Sequence, residues 1–107
     1  MNERDHKQIN ILVDQIRKEV PVKQIILFGS MVNGNQKEDS DIDLCVIIEQ
    51  NNQRRLDVIR QLRRAIAPVV AAPVDLLLYN QDEFEERAGN ESTLEHQIKL
   101  EGVRVDG

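Results

Sequence analysis

Residues Leu27 to Ile48 read LFGSMVNGNQKEDSDIDLCVII. An apolar run, Ile25–Ile26–Leu27–Phe28, stops at Gly29–Ser30; a polar loop follows, and a second apolar run opens with Asp41 and Asp43. Strand side chains alternate faces, so Asp41 and Asp43 are expected on one side of a strand, roughly 6–7 Å apart along it. Two carboxylates so spaced at the mouth of a buried strand form half of a two-metal site. The bland alternative is a strand-opening turn, for which Asp–Ser–Asp is ordinary chemistry. Gly29–Ser30, leading into a helix start, offers backbone N–H groups and a hydroxyl to phosphates, and helix capping uses the same amides.

Outward from this stretch, helices alternate with apolar strands. Ile9, Leu12, Val13 and Ile16 recur at helical spacing and predict an amphipathic helix over 5–19, ended by Pro21. Strands are expected over 23–28 and 41–48, both buried on two faces. A short helix starts at Ser30 and breaks at Asn33–Gly34–Asn35, before a solvated loop. A second long helix is expected over 53–66, with Leu56, Ile59, Leu62 and Ile66 as its core stripe. Pro68 and Pro73 bracket a connector, and VDLLLY over 74–79 reads as a third strand. Asn80 with Glu83 predicts a capped helix stopped by Gly89. Ser92 with Glu95 repeats the pattern and opens a last helix over 93–101 that carries Leu94 and Ile98. Gly102 closes it, and Val103–Arg104–Val105 is a candidate terminal strand. The alternation argues for a layered α/β fold.

The chain has 107 residues, the size of one domain, here 1–107, with little room for an accessory one. A net charge of −5 argues against a general nucleic-acid coat, which needs a positive field, and no direct nucleic-acid binding is expected. The only aromatics are Phe28, Tyr79 and Phe84, too few for a base-stacking surface. The lone Cys45 cannot form an internal disulfide, which fits a reducing, cytoplasmic setting. No stretch approaches the ~20 apolar residues of a membrane span, and MNERDHKQIN does not read as a signal peptide. His6 and His96 stand apart as surface residues, with no zinc pattern. Arg54, Arg55, Arg60, Arg63 and Arg64 make the second long helix basic; a solvated face with local ion pairs is the ordinary reading of such a run, and a partner-binding or nucleic-acid face the other.

A Gly–Ser pair, ten residues (Met31 to Ser40) and then Asp41–Ile42–Asp43 resembles the signature of the DNA polymerase beta-like nucleotidyltransferases. The resemblance covers nearly the whole chain, which looks like a minimal nucleotidyltransferase domain. It implies a small mixed β-sheet with helices packed against it. It also implies a third aspartate on the strand after the second long helix, and Asp75 matches. Asp75 stands alone in an apolar strand, where a carboxylate is costly unless paired or metal-bound; the structural alternative is a sheet end that caps a loop. Nucleotidyl transfer needs carboxylates to hold two magnesium ions roughly 3.5–4 Å apart, which stabilise the attacking and leaving oxygens. On the resemblance, Asp41, Asp43 and Asp75 are metal ligands and catalytic residues, Asp75 helps take the proton from the attacking hydroxyl, and Gly29 and Ser30 hold the triphosphate.

The resemblance further implies transfer of AMP from ATP to a hydroxyl, with pyrophosphate released. Small stand-alone members look like antitoxins that modify a tyrosine of a HEPN-type toxin, so a hetero-oligomer with such a partner is expected. Two alternatives stay open. One is a binding module that neutralises its partner by contact alone. The other is transfer to a small molecule, for which the chain has little room. Many family members carry arginine directly after Gly–Ser; here Met31 stands there, with Lys37 as the candidate substitute.

Overall fold

The computed structural model describes residues 3–33, 41–50 and 52–106. Helix α1 (Glu3–Glu19) buries Ile9, Leu12, Val13 and Ile16, the stripe read from their spacing. Its acidic first turn and basic last turn complement the helix dipole. Strand β1 (Val22–Phe28) leads through Gly29 into a single turn, α2 (Ser30–Asn33). The expected break after Asn33 and its loop, including Lys37, lie outside the described residues. The later elements are β2 (Ile42–Ile48), α3 (Arg55–Ile66), β3 (Val74–Asn80), α4 (Gln81–Ala88), α5 (Leu94–Glu101) and β4 (Val103–Arg104).

The strands form one mixed sheet in the order β3-β2-β1-β4. β1 pairs antiparallel with β2 and with β4, whereas β2 and β3 run parallel. A parallel pair needs a crossover, and α3 supplies it. On one face Ile25, Leu27, Leu44, Val46, Leu76 and Leu78 join the core made with α1 and α3. On the other, Ile26, Cys45, Ile47 and Tyr79 pack with Phe84 and Ala88 of α4 and Ile98 of α5. β2 serves both cores, which is why its sequence is apolar without alternation after Asp43.

Three expected details change. In α3 the buried stripe is Val58, Leu62 and Ile66, with Ile59 only partly buried, while Leu56 is 64% exposed. At 3.6 residues per turn Val58 stands about 40° from Leu62 and Leu56 about 120°, so one face cannot hold both. At α5 the cap is Thr93, whose hydroxyl accepts the His96 N–H at 3.1 Å. Ser92 instead donates both its N–H and its hydroxyl to the Asn90 side chain. Leu94 is consequently half exposed, and Glu95 is buried, accepting the Tyr79 hydroxyl at 2.8 Å with Arg87 at 3.7 Å. His96 is half-buried, with Nδ1 2.8 Å from the Ala88 carbonyl, rather than a surface residue. At α4 the Asn80 side chain accepts the Glu83 N–H at 2.9 Å, as the sequence predicts.

The end of the chain is fastened to its beginning. The buried Asp106 carboxylate accepts the Ile25 N–H at 3.0 Å and Arg104 at 2.8 Å, and Arg17 donates to the Asp106 carbonyl at 2.7 Å. No described helix is long and apolar enough to cross a membrane.

Candidate active site

The register of the sheet brings the sequence-predicted residues to one end. Phe28 pairs with Asp43 across β1 and β2, and Asp43 pairs with Asp75 across β2 and β3. Paired residues share a face, so both carboxylates lie on the α4–α5 side, beyond the apolar layer of Cys45 and Leu77. Asp75 is exposed, not buried within its strand as the run of leucines implied, because it is only the second residue of β3. Asp41 is exposed just before β2, and Asp43 is partly buried.

Asp43 sits between Asp75 and Gly29. Its carboxyl hydrogen-bonds that of Asp75 and is pushed up to about 6, first by burial, then by that bond and by the charges of Asp75 and Asp41. On its other side is Gly29, at φ +80°, where a Cβ would fall 2.2 Å from Asp43 Oδ2. Glycine is therefore required twice, by a left-handed backbone and by contact with the carboxylate. The Gly29 carbonyl accepts the N–H groups of Val32 and Asn33, both at 3.1 Å, and so starts α2 at Ser30. Met31 is buried in the larger core and holds α2 to the sheet, so the position after Ser30 is a packing position in this chain.

The carboxylates are hard oxygen donors, the set a magnesium ion prefers, and their crowding favours a cation. Among the described residues, however, no three acidic, histidine or cysteine side chains are grouped closely enough to hold a metal ion as they stand. A feature with no sequence signal lies next to Gly29. A cleft of about 170 Å³ opens between α2 and α5, with Phe28, Val32, Leu94 and Ile98 as apolar walls and Gln97 and Glu101 as polar ones. It joins residues more than sixty positions apart, which spacing does not reveal.

Residues 9–102 match the nucleotidyltransferase domain family. The chain belongs to this family. A "putative protein adenylyltransferase" of Methanocaldococcus jannaschii is 34% identical over 74 residues, which cover 69% of this chain and 68% of that protein. Among solved structures, a minimal nucleotidyltransferase superposes with a TM-score of 0.64 at 23% identity, covering 94% of this chain and 92% of that one. A toxin–antitoxin structure with AMP-PNP gives a TM-score of 0.53 at 26% identity, covering 94% and 71%. The nucleotidyltransferase fold expected from the sequence, a mixed sheet with helices against it, is the one observed.

Proposed function

We propose that this nucleotidyltransferase transfers AMP from ATP to a tyrosine hydroxyl of a HEPN-type toxin and thereby acts as its antitoxin. The observation that carries the reading is the Asp43–Asp75 carboxyl pair seated against Gly29, in a chain of this family. Asp41, Asp43 and Asp75 are the residues to hold magnesium, which when bound neutralises phosphate charge and stabilises the attacking and leaving oxygens. Gly29 and Ser30 receive the β- and γ-phosphates, placing the α-phosphorus over Asp43. The cleft between α2 and α5, beside Gly29, is the proposed seat of the base. Asp75, the exposed member of the pair, takes the proton of the attacking hydroxyl. A bond forms from that oxygen to the α-phosphorus, the bond to the β-phosphate bridging oxygen breaks, and pyrophosphate leaves. Most of the rate comes from positioning and charge stabilisation.

The similar protein adenylyltransferase and the toxin–antitoxin structure with AMP-PNP support the choice of nucleotide and setting. The test is incubation with ATP, magnesium and a HEPN-type protein from the same genome, followed by mass spectrometry and a ribonuclease assay. The expected result is AMP on a tyrosine and loss of cleavage. Neutralisation without any mass increase defeats the enzyme reading. One observation favours that second reading, neutralisation by contact alone: position 31 carries a buried methionine rather than a cation near the phosphates.

A further inference from the structure

We infer that the protein substrate docks as an added β-strand on the free edge of β3, presenting its tyrosine over Asp75. The inference rests on the nucleotidyl-transfer reading above and adds the mode of substrate capture.

The first ground is the edge itself. β3 is an outermost strand of the sheet. The Ile42 N–H donates to the Pro73 carbonyl at 2.9 Å, which sets the phase of the parallel ladder. Backbone groups alternate sides along a strand, so Asp75, Leu77 and Tyr79 turn theirs toward β2, while Val74, Leu76 and Leu78 turn theirs outward. Arg63 reaches the Val74 carbonyl at 3.5 Å. Among the described residues no hydrogen bond reaches the outward N–H and C=O groups of Leu76 and Leu78. Such groups template strand addition unless charge, proline or a covering element blocks them, and Leu76–Leu77–Leu78 carries no charge or proline.

The second ground is the reaction axis. Asp75, Asp43 and Gly29 lie in that order across β3, β2 and the end of β1. With pyrophosphate leaving on the Gly29–Ser30 side, in-line displacement requires the hydroxyl to approach from the opposite side. That side is β3, and beyond β3 lies an edge that is unpaired among the described residues. A strand laid there alternates faces, and the residue opposite Asp75 points to the carboxylate face. Strands lie about 4.8 Å apart, so the hydroxyl must reach back over roughly two spacings to a phosphorus above Asp43. A tyrosine ring covers much of that distance, whereas a serine or threonine hydroxyl stays at its own Cβ.

Amide exchange by NMR tests the docking residue by residue. The probe is the HEPN-type protein, added to the full chain with magnesium and AMP-PNP; a parallel sample with ATP goes to mass spectrometry. In the free chain the amides of Leu76 and Leu78 should exchange fast, and those of Leu77 and Tyr79 slowly. In the complex, Leu76 and Leu78 should slow by at least about tenfold, as amides do when a ladder bond forms. Equal protection of Leu76 and Leu77 in the free chain overturns the inference. So does unchanged exchange at Leu76 and Leu78 in a complex whose tyrosine gains AMP, and in that outcome the transfer reading survives. Absence of any AMP on the partner overturns both.

Discussion

Asp43 and Asp75 stand directly opposite each other on neighbouring parallel strands, and their carboxyls share a hydrogen bond. Burial first, then the neighbouring carboxylates, make the Asp43 carboxyl hold its proton more tightly than a free one, and a cation bound there would oppose that.

The first consequence is a pH dependence. The Asp43 carboxyl ionises near 3.8 in an unfolded chain and near about 6 in the fold. A raised acid contributes stability that is fully present below the lower value and lost as pH rises through the higher one. Without metal, the wild-type Tm should therefore fall relative to Asp43→Asn between about pH 4 and 7. Magnesium with ATP at neutral pH should raise the wild-type Tm and leave Asp43→Asn nearly unmoved. Parallel curves for the two proteins would show that the pair carries no such strain.

Asp75→Asn preserves shape and removes the proposed base. Turnover should drop by about 10²–10⁴-fold, the usual contribution of a positioned base, with metal loss adding to it. The Tm rise with ATP and magnesium should survive in part, because Asp41 and Asp43 remain. Near-normal single-turnover rates in this variant would remove Asp75 from the chemistry.

Gly29→Ala tests the contact on the other flank of Asp43. The left-handed φ alone costs about 1–2 kcal/mol for a residue with a Cβ. The added carbon must also displace the Asp43 carboxylate, since it would fall 2.2 Å from Oδ2. Both stability by denaturant titration and the nucleotide-induced Tm rise should fall. Loss of stability with an intact nucleotide response would separate Gly29 from the site.

Asp106 gives a pH effect of opposite sign, away from Asp43 and Asp75. Burial by itself would raise its pKa, but the Arg104 guanidinium and the Ile25 N–H outweigh burial and hold it below the usual carboxylate range. A lowered acid contributes stability above its unfolded pKa, and that stability is lost as pH falls through the folded one. Asp106→Ala should cost about 1–3 kcal/mol at neutral pH, largely from the unpaired Ile25 N–H. It should also flatten the acid limb of a Tm curve. An unchanged acid limb would place its role elsewhere.

The sequence showed the site better than its surroundings. The Gly29–Ser30 to Asp41–Asp43 spacing is local and Asp75 stands out in its strand, so these positions could be proposed from sequence, and the sheet register then sets Asp43 beside Asp75 and Gly29. Helix faces were read less well. Leu56 and Val58 are both apolar, and periodicity alone does not say which one the sheet covers. Ser92 and Thr93 are both good caps, and the choice was made by Asn90, which takes Ser92 for its own turn. Glu95 read as a capping partner but is drawn inward by Tyr79 and Arg87, a pairing across the fold that no local pattern announces. The cleft at Gly29 and the phase of the β3 edge exist only once strands are paired.

Tyr79 is the one tyrosine in the chain. Its ring is 7% exposed between Arg55 and Arg87, and its hydroxyl is given to Glu95. Burial first, then the bond to Glu95, raise its pKa well above that of a free phenol. It lies at the far end of β3 from Asp75, turned into the core. On the proposed reading, this tyrosine is withheld from the chain's own site. Tyrosine-linked AMP found in a mixture of this protein and a partner would then report modification of the partner, without background from Tyr79.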